Sequence, residues 1–366
     1  MRAVQLSNLI WQVNAHNPGP FTLMGTNTFI VGTGKHRVLI DTGDGMQPTY
    51  FEELRSVLRD KMDDARICAI LITHHHADHT GGISQLVSDP LIASSDLINR
   101  AKLPNPSQNP NDASPNVGVF ANIRGTDAFS KYQDTVNIYP LHSSPNLYKN
   151  FEHFKVQQQQ AITSDSEATE KFRTSILAQL RSPENFSVRV AGNPDTDAGA
   201  CTISVLPTPG HTDDHVAFYL HEEHVMFSGD CILGSNSSSI FTNLRLQIQS
   251  LELLELLQLA AICPGHGSII DDAPTAQLRS SINHRLGREQ KIVDVIRSFP
   301  APTNNSPPGI AFDDLFDATY GKLDGEKLVR GAKFNLTNHL DKLIYENKII
   351  KTVAQNSSFY KITPQL

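Results

Sequence analysis

Four times in this chain a short apolar run ends in a turn that carries a histidine or an aspartate. That repetition constrains the fold more than any other feature. The first run covers residues 68–73, and Thr73 opens the stretch Thr-His-His-His-Ala-Asp-His-Thr-Gly-Gly at 73–82. Within it, His74, His76, Asp78 and His79 place four potential metal ligands in six residues. Packing does not call for such a cluster, whereas imidazole and carboxylate together suit zinc and its first-row neighbours. The apolar, partly β-branched run reads as a buried strand, so the histidines sit on the loop at its C-terminal end. In α/β sheets that edge is where chemistry tends to be placed.

The other three runs follow the same plan. Residues 203–206 lead to Pro209-Gly210-His211, residues 224–227 to Ser228-Gly229-Asp230, and residues 259–263 to Pro264-Gly265-His266-Gly267. A glycine before each ligand allows backbone conformations that other residues resist. Seven candidate ligands therefore come from four strand ends.

At 366 residues the chain is long enough for a large core and two domains. Its net charge of −7 argues against a molecule that attracts nucleic acid as a whole. Cys68, Cys201, Cys231 and Cys263 show no paired spacing and read as buried, reduced thiols, which favours a reducing compartment. There is no run of 18 apolar residues and no secretory h-region, and an apolar strand begins by residues 9–13. The expectation is a soluble intracellular protein, with no clear targeting segment and no membrane partner. Nothing in the sequence speaks to oligomeric state.

Along the chain, strands are expected at 27–31 and 37–40, with turns at 17–20 and 32–34. Phe51, Leu54, Val57 and Leu58 recur at helical spacing within 48–60. Residues from about 90 to 198 break this rhythm and read as an insertion on the rim of the site, either shaping substrate entry or elaborating the surface. Within it, 103–115 reads as loop, 157–160 is a glutamine run and 167–180 is a candidate helix. Beyond residue 275, apolar positions from Leu278 to Ile296 mark an amphipathic helix. A second helix is expected at 312–319 and a third within 323–346. Two short strands follow at 349–353 and 359–362, the outline of a winged-helix module. Residues 276–366 hold 13 Lys+Arg against 9 Asp+Glu, a net +4, so residues 1–275 carry −11. That asymmetry marks the C-terminal part as the better nucleic-acid surface, unless it is a solvated cap on the main domain. The domain reading is 1–275 and 276–366.

The seven ligands, in order and spacing, resemble those of the metallo-β-lactamase superfamily. The resemblance implies an αββα sandwich in which His74, His76 and His211 hold one divalent ion and Asp78, His79 and His266 a second. Asp230 would bridge the two, and Asp41 would support the ligand loop from behind. Zinc is the expected metal. The same seven side chains are the expected catalytic set, around a metal-bound hydroxide. The stretches at 17–28, 210–215, 227–234 and 284–290 resemble the β-lactamase-like protein 2 family in particular. That resemblance implies an endoribonuclease of single-stranded RNA, in the mitochondrial matrix or the cytoplasm. Asn27, Thr28 and His215 lie in its motifs and either contact substrate or stabilise the loops that carry them. Polyketide thioesterases acting on acyl carrier protein, and glyoxalase II, share parts of the same pattern. Hydrolysis of an acyl-thioester is therefore the alternative, and a non-catalytic RNA-binding scaffold is a third reading that needs no metal ligands.

Overall fold

Phe29 and Val31 bury on one face of their strand and Ile30 on the other, and this alternation, repeated across two sheets, builds the protein. The structure, a computed structural model, describes residues 3–102, 118–122, 129, 132, 136, 138–141, 166–182, 185–190, 199–234, 240–300, 308–354 and 357–364. Among these, β1 (Val4–Gln5), β2 (Ile10–Asn14), β3 (Asn27–Val31), β4 (His36–Ile40), β5 (Arg66–Leu71), β6 (Gly118–Ala121) and β7 (Ile138–Pro140) pair in chain order into one sheet. Strands β1 to β4 are antiparallel, and β4 to β7 run parallel. The second sheet has the order β12-β11-β10-β9-β8, from β8 (Ser187–Val190), β9 (Cys201–Pro207), β10 (Val216–Leu220), β11 (Val225–Gly229) and β12 (Ala261–Pro264).

The sheets pack face to face. Phe29, Val31, Ile40 and Leu71 of the first meet Val205, Phe218 and Phe227 of the second. The rings of Phe29 and Phe227 lie 5.1 Å apart. On the outer face of the first sheet, Ile30, Leu39 and Ile70 pack against helices α1 (Pro48–Asp60), α3 (Ile83–Ser88) and α4 (Ser95–Lys102). Helix α1 begins with proline, whose missing N–H costs nothing there, and buries Phe51, Leu54, Val57 and Leu58 as the spacing predicts. Truncating the fully buried Leu54 to alanine would cost about 2–5 kcal/mol. On the outer face of the second sheet, Leu206, Tyr219 and Met226 pack against α5 (Ser166–Leu180), α6 (Leu244–Leu256) and the start of α7 (Pro274–Ser298). The layers are helix, sheet, sheet, helix, the expected αββα sandwich.

The stretch read as an insertion belongs to this sandwich wherever it is described. Strands β6 and β7 extend the first sheet and β8 edges the second. These strands are three or four residues long, too short for a period to stand out from polar flanks. Residues 103–115 and the glutamines at 157–160 lie outside the described residues.

Helix α7 serves two cores. Leu278 and Ile282 join the sandwich, while Ile292 and Ile296 pack with α8 (Phe312–Tyr320), α9 (Glu326–Tyr345) and a small antiparallel sheet. That sheet has the order β13-β15-β14, from β13 (Ile310–Ala311), β14 (Ile349–Ala354) and β15 (Ser357–Ile362). Two helices followed by a hairpin stand where the periodicity places them. Buried Lys342 of α9 pairs with buried Glu289 of α7 at 2.7 Å, which ties the two helices together. All four cysteines are free and buried, and burial pushes the Cys68 thiol up to about 11. No helix among the described residues is long and apolar enough to cross a membrane.

Candidate metal centre

The four strand-end turns converge on one spot. After β5 the chain runs through Thr73 to His76 and enters the one-turn helix α2 (Ala77–Thr80), which carries Asp78 and His79. The turns after β9, β11 and β12 deliver His211, Asp230 and His266. Ligand-type atoms of His74, His76 and His211 lie within 4.8 Å of one another. So do those of Asp78, His79 and His266, and those of His74, His79 and Asp230. Asp230 stands between the first two groups. One of its oxygens lies 3.5 Å from His79 Nε2, and the other lies 3.6 Å from His211 Nε2 and 3.4 Å from His266 Nε2.

The backbone geometry depends on Gly229. Its φ is +46°, and a Cβ there would stand 2.8 Å from both Thr73 and His215. Only glycine lets β11 pass this close and still turn Asp230 inward.

Each histidine is oriented by what its other ring nitrogen finds. Thr73 donates through its hydroxyl to Asp41 Oδ2 at 2.9 Å and so accepts from His74 Nδ1–H at 3.1 Å. His79 Nδ1–H donates to Asp41 Oδ2 at 2.8 Å. His211 Nδ1–H donates to the Ile240 carbonyl at 2.6 Å, and His266 Nδ1–H to that of Gly25 at 3.4 Å. Four Nε2 lone pairs are thereby aimed into the centre. His76 differs, presenting Nδ1 at 3.0 Å from both His74 Nε2 and His211 Nε2.

This donor set fits divalent cations. Three imidazole nitrogens converging at 3.0 Å contacts repel unless a positive charge is shared among them. Among the described residues, the buried atoms His79 Nε2 and Asp230 Oδ1 have no hydrogen-bond partner, a costly state that a coordinate bond would relieve. The electrostatics agree. Burial, then the neighbouring imidazoles, hold His74 well below the ordinary histidine value, and burial with His211 and His75 brings His76 down to about 4. Both are neutral, as ligands must be. Burial opposes the charge on Asp78, but His79 and His266 outweigh it and hold that carboxyl well below its usual range. Burial likewise opposes charge on His266, yet Asp230 and Asp78 raise it to about 9. The carboxylates thus demand positive charge at this place, which a proton or a metal can supply.

Asp41 lies behind the loop that carries His74 to His79. It accepts from the Thr73 amide at 2.8 Å as well as from Thr73 Oγ1 and His79, and it adopts φ +58° to do so. Asn27, Thr28 and His215 are placed differently from a substrate-contact reading. All three are buried. Asn27 donates to the Pro264 and Gly267 carbonyls on either side of His266. Thr28 donates to the Val13 carbonyl and accepts from the Tyr50 hydroxyl. His215 Nε2 accepts from the Asp230 amide at 3.1 Å, while its Nδ1 meets Thr208 Oγ1 at 2.8 Å. They brace the ligand turns, because a motif residue facing inward from a strand is used by the fold before substrate can reach it.

Other contributors carry no sequence signal of their own. Thr26 donates to Asp78 Oδ2 at 3.2 Å, and Thr73 and the Ile240 carbonyl act as described. His75, between two ligands, pairs with buried Asp214 at 2.7 Å. The triple-histidine run could have drawn attention to His75, but nothing marks Asp214 as its partner.

The sequence model of the family described as the metallo-beta-lactamase superfamily matches residues 21–90 and 194–266, and these two stretches contain all seven converging side chains. The chain belongs to the metallo-β-lactamase superfamily. Two solved structures with this fold cover 98% of the chain. A metallo-beta-lactamase family protein from Thermus thermophilus aligns with a TM-score of 0.53 at 20% identity over 100% of its own chain. A beta-lactamase domain protein from Burkholderia ambifaria aligns at 0.57 and 15% over 93%. Among curated relatives, the beta-lactamase-like protein 2 homolog of Drosophila melanogaster is 28% identical over 98% of this chain and 96% of its own. That of Caenorhabditis elegans is 29% identical over 80% and 72%. An atrochrysone carboxyl ACP thioesterase of Aspergillus terreus is 27% identical over 87% and 73%. This is a superfamily of metal-dependent hydrolases, and the αββα sandwich is the fold the chain shares with it.

Proposed function

We propose that this protein is a dinuclear hydrolase that cleaves phosphodiester bonds of single-stranded RNA. The observation that carries the hydrolase part is the convergence of His74, His76 and His211 beside Asp78, His79 and His266, with Asp230 between them. Two divalent ions held there, zinc foremost, would supply Lewis acidity and lower the pKa of a water toward neutrality. The chain's own residues set up that chemistry. Asp41, Thr73 and the Ile240 and Gly25 carbonyls fix which ring nitrogen His74, His79, His211 and His266 present. Asp78 and Asp230 stay ionised at neutral pH and balance the cationic charge. The hairpin loop before β3 is held by Asn17 donating to Thr26 Oγ1 at 3.0 Å, and it exposes Phe21 and Met24. Flat or flexible apolar side chains there suit stacking under a base.

The RNA assignment is supported by the likeness to beta-lactamase-like protein 2 homologs, which extends through the C-terminal module. The net +4 of residues 276–366 also favours a polyanion on that part of an acidic molecule. A second reading has an observation of its own, the likeness to ACP thioesterases over 87% of the chain. An acyl chain would also cover Phe21 and Met24.

The deciding experiment offers the metal-loaded protein a single-stranded RNA and an acyl-thioester side by side, with Asp78→Ala as the blank. RNA cleaved by the wild type and spared by the variant is the expected result. Thioester turnover with the RNA left intact would sink the nuclease reading in favour of thioester hydrolysis.

A further inference from the structure

His211 is held by the segment that leads into α6. Its Nδ1–H donates to the Ile240 carbonyl at 2.6 Å, and the residues just beyond grip the same turn. The amides of Thr242 and Asn243 donate to the Gly210 carbonyl at 2.7 and 3.0 Å. Residues 240–243 are therefore a cradle for His211. This cradle rests on Phe241, whose side chain is buried. Two of the groups that contact its ring belong to the C-terminal helices. The Arg285 guanidinium of α7 stands 5.7 Å from the ring centroid, and the His339 ring of α9 meets it edge-on at 6.1 Å and 87°. Arg285 is itself pinned by donating to the Ser281 carbonyl, and α9 is locked to α7 by the Lys342–Glu289 pair.

We infer that the C-terminal module is a positioning element of the metal centre, acting through Phe241 and the Ile240 carbonyl on His211. The inference rests on the assignment of His211 as a ligand and goes beyond it. It gives the module a task in metal binding that is separate from any contact with substrate. The physical route is short. A buried ring packed in the core beneath α6 and flanked by two fixed partners sets where its backbone lies. The carbonyl one residue earlier then sets the rotation of the imidazole, and with it the aim of Nε2. Removing the wedge leaves a cavity into which residues 240–242 can relax. His211 would lose its acceptor while His74, oriented from Thr73, keeps its own. Phe241, Arg285 and His339 are thus positioning residues that need not touch metal or substrate.

The test uses the full-length protein and cobalt(II) as the probe, read by its absorption spectrum and by competition with a chelator, with circular dichroism as the check on folding. Phe241→Ala should weaken cobalt at the His211-dependent site by about tenfold or more and alter its spectrum, while Phe241→Leu keeps affinity within about threefold. His339→Ala should act in the same direction. In a His211→Ala background, Phe241→Ala should add less than about twofold, because the route has already been cut. A folded Phe241→Ala protein with wild-type cobalt affinity and spectrum would overturn the inference. So would an equal further loss in the His211→Ala background, which would mark Phe241 as a general stability residue. If Phe241→Ala does not fold, His339→Ala is read by the same criteria. Identical cobalt binding by the wild type and His211→Ala would overturn the ligand assignment itself, an outcome distinct from the others.

Discussion

Asp41 shows how much of the centre depends on atoms that never meet a metal. One carboxylate accepts from the Thr73 amide, the Thr73 hydroxyl and His79 Nδ1, and so orients His79 directly and His74 through Thr73. Asp41→Asn keeps the shape and tolerates the positive φ that position 41 requires, but it removes the charge that holds the His79 tautomer. Metal affinity should fall about 10–100-fold with little change in thermal stability, as a chelator titration would show. Unchanged affinity would mean that Asp41 serves only the turn. The seven converging side chains were legible in the sequence because their types and spacing are improbable for any other purpose. Thr73, Thr26 and the carbonyls of Ile240 and Gly25 were not. A backbone carbonyl has no residue type to read, and a threonine beside a strand has many uses. For Asn27, Thr28 and His215 the sequence left substrate contact and loop support both open, since a motif marks importance without saying which way a side chain faces.

Among the elements, strands that end in a ligand were the easiest to place. The β3 and α1 bounds match the sequence reading, β3 because the Gly-Thr-Gly turn at 32–34 closes its apolar run and α1 because its helical spacing is unmixed. Strand β10 carries no ligand and is buried along its whole length, so its continuous apolar run lacks a distinguishing period. The short strands β6, β7 and β8 were hidden for the opposite reason, being brief apolar runs in polar surroundings. The turn after β9 offers a test at this scale. Gly210 has φ +140°, and a Cβ there would collide with the backbone of Gln247 at the start of α6. Gly210→Ala should therefore cost about 1–3 kcal/mol in urea unfolding and disturb His211 with it. A variant as stable as the wild type would show that α6 does not clamp this turn.

At the scale of the whole molecule, acid should unfold the protein partly through histidines outside the seven converging side chains. His221 joins Arg181 just beyond α5 to Ser204 of the second sheet, and burial followed by Arg181 lowers it to about 4. His339, on α9 against Phe241, is lowered to about 3 by burial, then by Arg288 and Lys342. Both are neutral in the folded chain, whereas in the unfolded chain they gain a proton near the ordinary histidine value of 6.5. The unfolded state therefore binds more protons below that value. Stability should be full above about pH 6.5 and decline as pH falls toward 3–4. His339→Gln should make that decline shallower in denaturant titrations at about pH 7, 5.5 and 4.5, the latter two chosen within the roughly 4–6.5 window where the linkage acts. An unchanged slope would remove His339 from the account. Everything else at this scale depends on whether seven side chains from four strand ends hold a metal pair, and metal content per chain measures that directly. Elemental analysis of protein purified with zinc present should give two equivalents for the wild type and a loss for Asp230→Ala. One equivalent or none in the wild type, or two retained in the variant, would contradict the bridging arrangement on which the proposed chemistry stands.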